Sequence, residues 1–466
     1  MDKAYGLRLG RQAFLQSVII LVVLLGVAGV LTLVFPPGSY DRVVKDGVAQ
    51  VVPGTYHLLE GTVAYPVWRW FTAPVEVLWS ADGPLTIVIL LFILFVGGSF
   101  AVFDASGLFQ SLIDAFLRRW GHRRDAVIIG FTTAFMFLGA VFGILEEVVP
   151  LIPIVVLASL RLGWDRSMGL GLILLPVGFG FSSALFNPFT IGVAQRLAGV
   201  PLFSGLDYRL LIFVVTEAVL LVFLLRYRRR LEKAPGWEAP PVPELASPDS
   251  RGQRALVVGF SVLLVLMMVF PLVGLADLSL PVIALGFVVL AAITGLRRGL
   301  KLGFVGRVFA HGMGGVAPGL LLILLAMGIK HVIGSSHVMD TLLDRTASLL
   351  TGQGPLPAAG AMYLLVFVLQ FFIPSATAKA FLVIPLLTPL GDLVGVTRQT
   401  VVLAFNFGDG FSHLLYPTNP LLLIALSLAD VGLVKWLKWT IGLQIVLFLL
   451  TFVFLMLAAA FRYGPV

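Results

Sequence analysis

Between Asp125 and Arg161 the only charged residues are two adjacent carboxylates, Glu146 and Glu147, set among apolar side chains with Pro150 and Pro153 close behind. A charge in such surroundings is costly and usually has a task. Three tasks suit an acidic pair: holding a cation, taking up a proton, or meeting a basic group of a substrate. A structural ion pair with a nearby arginine is the plainer alternative. A second cluster lies further on, with Lys379 after Pro374-Ser375-Ala376-Thr377, then Asn406, Asp409 and His413. Asp409 could serve as a proton or cation site. Lys379 could face an anionic group, stand in for a coupling ion, or simply snorkel toward the membrane surface.

Backbone that leaves helical geometry at membrane depth is tolerated only where it lines a cavity or is buried in protein. Four such places are expected. They are the turns Gly143–Glu147 and Pro374–Lys379, and the breaks Ser182-Ser183-Ala184-Leu185-Phe186-Asn187-Pro188 and Tyr416-Pro417-Thr418-Asn419-Pro420. Each offers free carbonyls, hydroxyls or amides, and each half-helix N-terminus offers positive dipole to an anion. The substrate-binding candidates are therefore Glu146, Glu147, Ser182, Ser183, Asn187, Thr190, Ser375, Thr377, Lys379, Asn406, Asp409, Thr418 and Asn419. Glu147, Asn187, Asp409 and Asn419 are the candidates for a coupling ion, with sodium the one metal considered.

These places occur in pairs. At a fixed offset of 232 residues, Ile152-Pro153 aligns with Ile384-Pro385, Gly163 with Gly395, Arg166 with Arg398, Gly178-Phe179 with Gly410-Phe411, and Asn187-Pro188 with Asn419-Pro420. The same offset sets Lys379 on Glu147, so the two halves differ in charge at one hairpin position. Glu217 has no counterpart and reads as a relay or a packing residue. His311, His331 and His337 lack metal-ligand spacing and read as interfacial. Gly312–Gly319 lacks the Lys-Ser/Thr of a phosphate loop, so close helix packing explains it better.

The elements that position these residues must be membrane helices. Of 466 residues, 59% are hydrophobic and 12% charged, against about 25% charged in soluble domains. The net charge of +8 suggests basic cytoplasmic loops and no nucleic-acid partner. With no cysteines, disulfides, thiolate metal sites and iron–sulfur clusters are excluded. Lys3, Arg8 and Arg11 place the N-terminus in the cytoplasm, followed by a retained membrane helix near 12–35.

Residues 36–83 read as a long outer loop, 84–104 as a helix, and 107–119 as an amphipathic stretch. A hairpin over 125–160, a broken helix over 167–199 and a helix over 208–225 follow. Residues 234–253 read as a flexible linker. In the second half, helices are expected near 255–275, 279–296 and 316–334, with an interfacial segment over 337–350. A hairpin over 355–391, a broken helix over 398–430 and a last helix over 439–461 complete the chain. Counting crossings puts the two hairpins at opposite faces. The predicted fold is thus an all-α polytopic membrane protein with two inverted repeats, each carrying a re-entrant hairpin and a discontinuous helix. Scaffold segments are 1–124 and 255–354, transport segments 125–233 and 355–466, with 234–254 between the halves.

Three stretches resemble a known family: Gly143–Pro150 with its Glu pair, Pro374–Ala380, and Leu403–Pro420 with Asn406-Phe407-Gly408-Asp409-Gly410-Phe411-Ser412. They resemble the YfcC-like branch, which groups with C4-dicarboxylate carriers and basic amino acid antiporters of the ion transporter superfamily. The resemblance covers nearly the whole chain. It implies a homodimer in the bacterial inner membrane, with a scaffold and a mobile transport domain working as an elevator. Sodium-coupled relatives carry Ser-Asn-Thr at their hairpin tips, whereas the tips here read Ile144-Leu145-Glu146-Glu147 and Ser375-Ala376-Thr377. Proton coupling or exchange therefore gains weight over sodium.

The expected function is secondary transport of an amino acid, a basic one such as arginine or ornithine, or of a related zwitterion. A C4-dicarboxylate or other carboxylate carrier is the alternative. No enzyme signature such as His-Glu-x-x-His or Gly-x-Ser-x-Gly occurs, and no cofactor is expected.

Overall fold

The computed structural model describes residues 11–45, 48–59, 65–107, 114, 116, 119–237, 258–259, 261–263, 265–266, 269–270, 276–350 and 352–464. The predicted linker over 234–253 from residue 238 onward, most of the amphipathic stretch over 107–119 and much of the helix over 255–275 lie outside these residues.

The first half contains α1 (Arg11–Val34), α2 (Trp68–Glu76), α3 (Gly83–Ala105), α4 (Arg124–Phe142), α5 (Ile152–Arg161), α6 (Arg166–Ser183), α7 (Val193–Ala198) and α8 (Leu206–Glu232). The second contains α9 (Ala276–Arg297), α10 (Leu302–Val316), α11 (Pro318–Ser335), α12 (Val338–Leu350), α13 (Pro355–Phe372) and α14 (Ala376–Val394). It closes with α15 (Arg398–Gly410), α16 (Pro420–Ala429) and α17 (Leu433–Ala460). Among the described residues nine helical spans are long and apolar enough to cross a membrane. The span Arg166–Ala198 is 94% buried inside the protein, against 33% for α1 and for α8. The broken helix is therefore central and the unbroken ones lie at the periphery.

Several predicted elements need correction. The segment over 36–83 is not simply a loop. It forms two short antiparallel pairs, β1 (Gly38–Ser39) with β4 (His57–Leu58) and β2 (Arg42–Lys45) with β3 (Val48–Val51), and then α2. Its charges are partnered: Arg42 lies 2.8 Å from Asp340 of α12. Between the expected helices over 279–296 and 316–334, where Arg297, Arg298, Lys301 and Arg307 read as a basic cytoplasmic stretch, the chain forms α10. Its buried Val305, Val308, Gly312 and Val316 follow helical spacing while Arg307 and His311 stay exposed. Helix α8 continues through its arginines to Glu232, which lies 2.9 Å from Arg124. Arginine is a good helix former, and with a partner at hand nothing ends the helix there. Helix α17 begins at Leu433, so Lys435 and Lys438 stand within it.

Elements of the two halves end at matching positions under the 232-residue offset. Helices α6 and α15 start at Arg166 and Arg398, each three residues after a left-handed glycine, Gly163 and Gly395, with φ of +80° and +79°. The half-helices after both breaks start at a proline capped by asparagine, Asn187 with Pro188 and Asn419 with Pro420. Packing between the halves is reciprocal. Helices α1 and α2 pack on α11, while α9 and α10 pack on α3. At the centre, a Cβ on Gly178 would meet Leu414, and one on Gly410 would meet Ser182. Phe179 stacks near Phe411, centroids 5.8 Å apart, and Phe181 meets His413 edge-on at 5.5 Å. Arg166 pairs with Asp430 as Arg398 bonds the Ala198 carbonyl at 3.1 Å. Arg166 with Asp430, Gly178 with Leu414, Ser182 with Gly410 and Ala198 with Arg398 pair rising numbers along the first broken helix with falling ones along the second, so α6 and α15 run antiparallel. Lys330 near the end of α11 lies 2.6 Å from Asp82 at the start of α3, which gives the same opposed course for that pair.

Candidate functional site

The site is built from four interruptions that meet at the centre. Helices α4 and α5 form the first hairpin, joined through Gly143 and a 3₁₀ turn over Glu146–Leu151. Helices α13 and α14 form the second, joined at Ile373–Ser375. Each hairpin reaches the opposite half. Thr377 of the second hairpin donates to the Phe189 carbonyl after the first break, at 3.2 Å. The 3₁₀ turn of the first hairpin packs on α16, after the second break.

The structure sorts the thirteen candidate residues into three kinds. Some serve the backbone. Ser182 and Ser183 donate back to the carbonyls of Gly178 and Phe179, at 2.6 and 2.8 Å. Ser375 caps α14 by accepting from Ala378 N. Asn187 accepts from Phe189 N at 2.9 Å and Thr190 N at 3.3 Å, and donates to the Phe181 carbonyl. Its oxygen is taken up by these backbone groups and one of its two N–H donors by Phe181, so it stabilises the first break.

Others form one buried network. Lys379 Nζ donates to Asp409 Oδ1 at 2.7 Å and to Gln370 Oε1. His413 Nε2 lies 3.4 Å from Asp409 Oδ2. Its Nδ1 accepts from Gln370 Nε2 at 3.0 Å and from Asn419 Nδ2 at 2.7 Å. Asn419 also caps α16 by accepting from Leu421 N. Lys379 and Asp409 are both 0% exposed. This corrects two readings of Lys379. It does not snorkel, and in this conformation its charge faces Asp409 and not an open site.

The third kind has polar atoms without partners. Asn406 is 2% exposed with both amide atoms unbonded, and the hydroxyls of Thr190 and Thr418 are likewise buried and unbonded. A buried polar group with no partner is costly, and native structures usually supply one. Asn406 stands one helical turn before Asp409. Glu146 is exposed and Glu147 half-buried, its Oε2 accepting from Leu145 N at 3.0 Å. Glu146 lies within electrostatic reach of Asp409 and of Glu147. Among the described residues no basic side chain pairs with either glutamate.

Two residues escaped the sequence reading. Gln370 is an uncharged amide in an apolar helix, 43 residues from His413, and only its 1% exposure marks it. Arg209, also 1% exposed, donates to the Ala184 and Leu185 carbonyls at 3.0 and 3.2 Å and to the loop carbonyls of Phe203 and Ser204. It holds the carbonyl end of α6 at the first break. At the second break Trp436 Nε1 does similar work on the Leu414 carbonyl, at 3.0 Å. Glu217 bonds Thr133 of α4, which makes it a packing residue between α4 and α8. No group of three or more His, Asp or Glu fit to hold a metal ion occurs among the described residues.

Paired hairpins facing paired helix breaks, with nine candidate spans among the described residues, are the architecture of a multi-pass membrane protein. The family model of the C4-dicarboxylate anaerobic carriers (DcuC) matches residues 14–460, and the chain belongs to that family. It is 33% identical over 372 residues to YfcC of Escherichia coli (strain K12), whose suggested role is basic amino acid antiport, covering 75% of this chain and 73% of that one. An uncharacterized protein of Haemophilus influenzae is 24% identical over 420 residues, 86% of this chain and 77% of its own. Among solved structures, the YdaH transporter of Alcanivorax borkumensis aligns over 97% of this chain and 100% of its own, at 17% identity and a TM-score of 0.45. The efflux pump MtrF of Neisseria gonorrhoeae aligns over 95% and 94%, at 17% identity and a TM-score of 0.39.

Proposed function

We propose that this protein is a secondary carrier of basic amino acids or related zwitterions. In this reading it works by elevator-type alternating access in a bacterial inner membrane, coupled to protons or to exchange. One observation carries the choice of substrate. Lys379 is neutralised by Asp409, while Glu146 and Glu147 have no basic partner among the described residues. The uncompensated charge at the hairpin tips is therefore negative. It attracts an ammonium or guanidinium and repels a dicarboxylate that is not protonated. The suggested role of YfcC agrees with this, and the family's description favours the carboxylate alternative.

The unbonded Asn406, Thr190 and Thr418 are the polar groups proposed to hold the uncharged and carboxylate parts of the substrate. The antiparallel course of α6 with α15 and of α3 with α11 supports the inverted-repeat reading. Helices α1–α3 and α9–α12 then form the scaffold, and α4–α8 and α13–α17 the moving part. The homodimer implied by the family resemblance belongs to the same proposal.

Proteoliposomes containing the purified protein test it. Arginine, lysine, ornithine, succinate and fumarate are offered as labelled substrates, each against an excess of the others. Saturable basic amino acid exchange, undiminished by succinate, is expected. Saturable dicarboxylate uptake with which no amino acid competes would sink the reading.

A further inference from the structure

The lysine at the second hairpin has the surroundings of a bound cation. Its Nζ is held by two oxygens from two different helices, the carboxylate of Asp409 on α15 and the amide oxygen of Gln370 on α13. Both residues are buried, with Gln370 at 1% and Asp409 at 0% exposure. Hard cations favour such an oxygen donor set, one charged and one neutral. A buried carboxylate without a counter-charge is strongly unfavourable, so something positive must stand there. The position carrying this ammonium is the one that, 232 residues earlier, carries Glu147. One half thus presents a carboxylate with no basic partner, and the other presents a carboxylate already occupied.

We propose that Lys379 is a resident cation: its ammonium fills, in the second half, the place that a free coupling cation would take. The second half is then permanently loaded. Only the first half, through Glu146 and Glu147, remains open to a free cation, a proton or the basic group of a substrate. The rest of the network fits this role. His413 and the amides of Gln370 and Asn419 tie the loaded site to the helix break, so the second hairpin tip and the break are held together without a soluble ion. The inference rests on reading these elements as a transport site, but it does not depend on which substrate is carried.

The test reads folding stability, so a wrong substrate assignment leaves its outcome intact. Full-length protein in detergent is unfolded by heat in choline chloride, and again in sodium, lithium or ethylammonium chloride at equal ionic strength. Lys379→Ala should unfold earlier than wild type in choline. It should then gain at least about 4 °C more than wild type gains when one of the small cations replaces choline. Adding Asp409→Asn to this variant should abolish the gain. Folding of Lys379→Ala only when a small cation is present would be the same result in stronger form. Should that variant fail to fold in every salt, Lys379→Gln, which keeps hydrogen bonding to Asp409, carries the test with the same expectation. If none of the three cations stabilises the Lys379 variants more than wild type, the inference is overturned.

Discussion

The two helix breaks begin alike and end differently. Each restarts its helix with Asn-Pro, where asparagine caps the new N-terminus and proline fixes the first helical φ. From there the first break, at Asn187, is satisfied within its own backbone: Asn187 turns inward to Phe181, and the carbonyl end of α6 is held by Arg209. The second break, at Asn419, is tied to a hairpin through His413, Gln370, Asp409 and Lys379. Under the offset, Phe181 of the first half takes the place of His413 and Val177 that of Asp409. With Glu147 for Lys379, these three differences leave the first half without the ion pair that the second half carries. A few side chains thus distinguish two halves whose helices start at matching positions.

The largest expected effect separates the halves by charge. Asp409→Ala strands Lys379 in a buried position and should cost about 3–5 kcal/mol of stability. Combining Asp409→Ala with Lys379→Met removes both charges and should recover most of that loss. Denaturation of the single and double variants measures the coupling. Additive losses would show that the pair contributes nothing as a pair. Glu147→Gln, in the first half, should leave stability within about 1 kcal/mol, because that carboxylate has no basic partner to strand.

A smaller difference is expected where the breaks are held. Arg209 makes charge-assisted bonds to several carbonyls, and Arg209→Met should cost about 3 kcal/mol. Trp436→Phe removes one neutral hydrogen bond and should cost about 1 kcal/mol. Equal losses in thermal unfolding would mean that the two breaks are held with equal strength and that the asymmetry stops at the charged network. At the crossing of α6 and α15 the equivalent glycines also differ. A Cβ on Gly410 would lie 2.5 Å from the Ser182 Cα, a backbone atom, whereas one on Gly178 would lie 2.7 Å from a methyl of Leu414. A leucine side chain yields more readily than backbone. Gly410→Ala should therefore destabilise more than Gly178→Ala, by about 1–2 kcal/mol.

Much of this frame could be read from the residues because repeated local signals state it twice. Asn-Pro and the left-handed glycines at 163 and 395 mark breaks and turns by rules that act over a few residues. Lys379 and Asp409 were identifiable as costly charges, but their pairing was not, since 30 residues and a helix turn separate them. Gln370 was invisible because a lone amide in an apolar helix carries no pattern. Arg209 stands at the start of the expected helix over 208–225 with no local signal, and only the fold brings the carbonyls of Ala184 and Leu185 to it. Helix α10 was missed because its apolar stripe is interrupted by exposed Arg307 and His311, which favoured the reading of a basic loop.

The smallest expected effect compares two reciprocal contacts between the halves, α10 on α3 and α2 on α11. Where α10 crosses α3, the contact is close and apolar, with a Cβ on Gly312 falling 2.6 Å from both the Gly97 carbonyl oxygen and Ala101. Where α2 meets α11, Gly328 packs closely on Pro74 and a polar cluster adds to that packing. Arg69 bonds Glu76 at 2.7 Å, and His331 of α11 lies 3.6 Å from the same carboxylate. Glu76 lies outside the candidate membrane spans. The hydrogen bond from Arg69, the largest influence, holds its carboxyl below the ordinary value of 4.5 against the opposing effect of burial. A depressed folded pKa adds stability that is full above the unfolded value and is lost as pH falls through the folded one. The difference in melting temperature between wild type and Glu76→Gln should thus be present at pH 7 and shrink below pH 4.5. Its size should be that of a half-exposed ion pair, about 0.2–1 kcal/mol. Gly312→Ala should lose about 1–3 kcal/mol by crowding, and by the same amount at both pH values, since no charge takes part in that contact. If the Glu76 difference does not change with pH, the two contacts are held by packing alone and the polar cluster adds nothing through its charges.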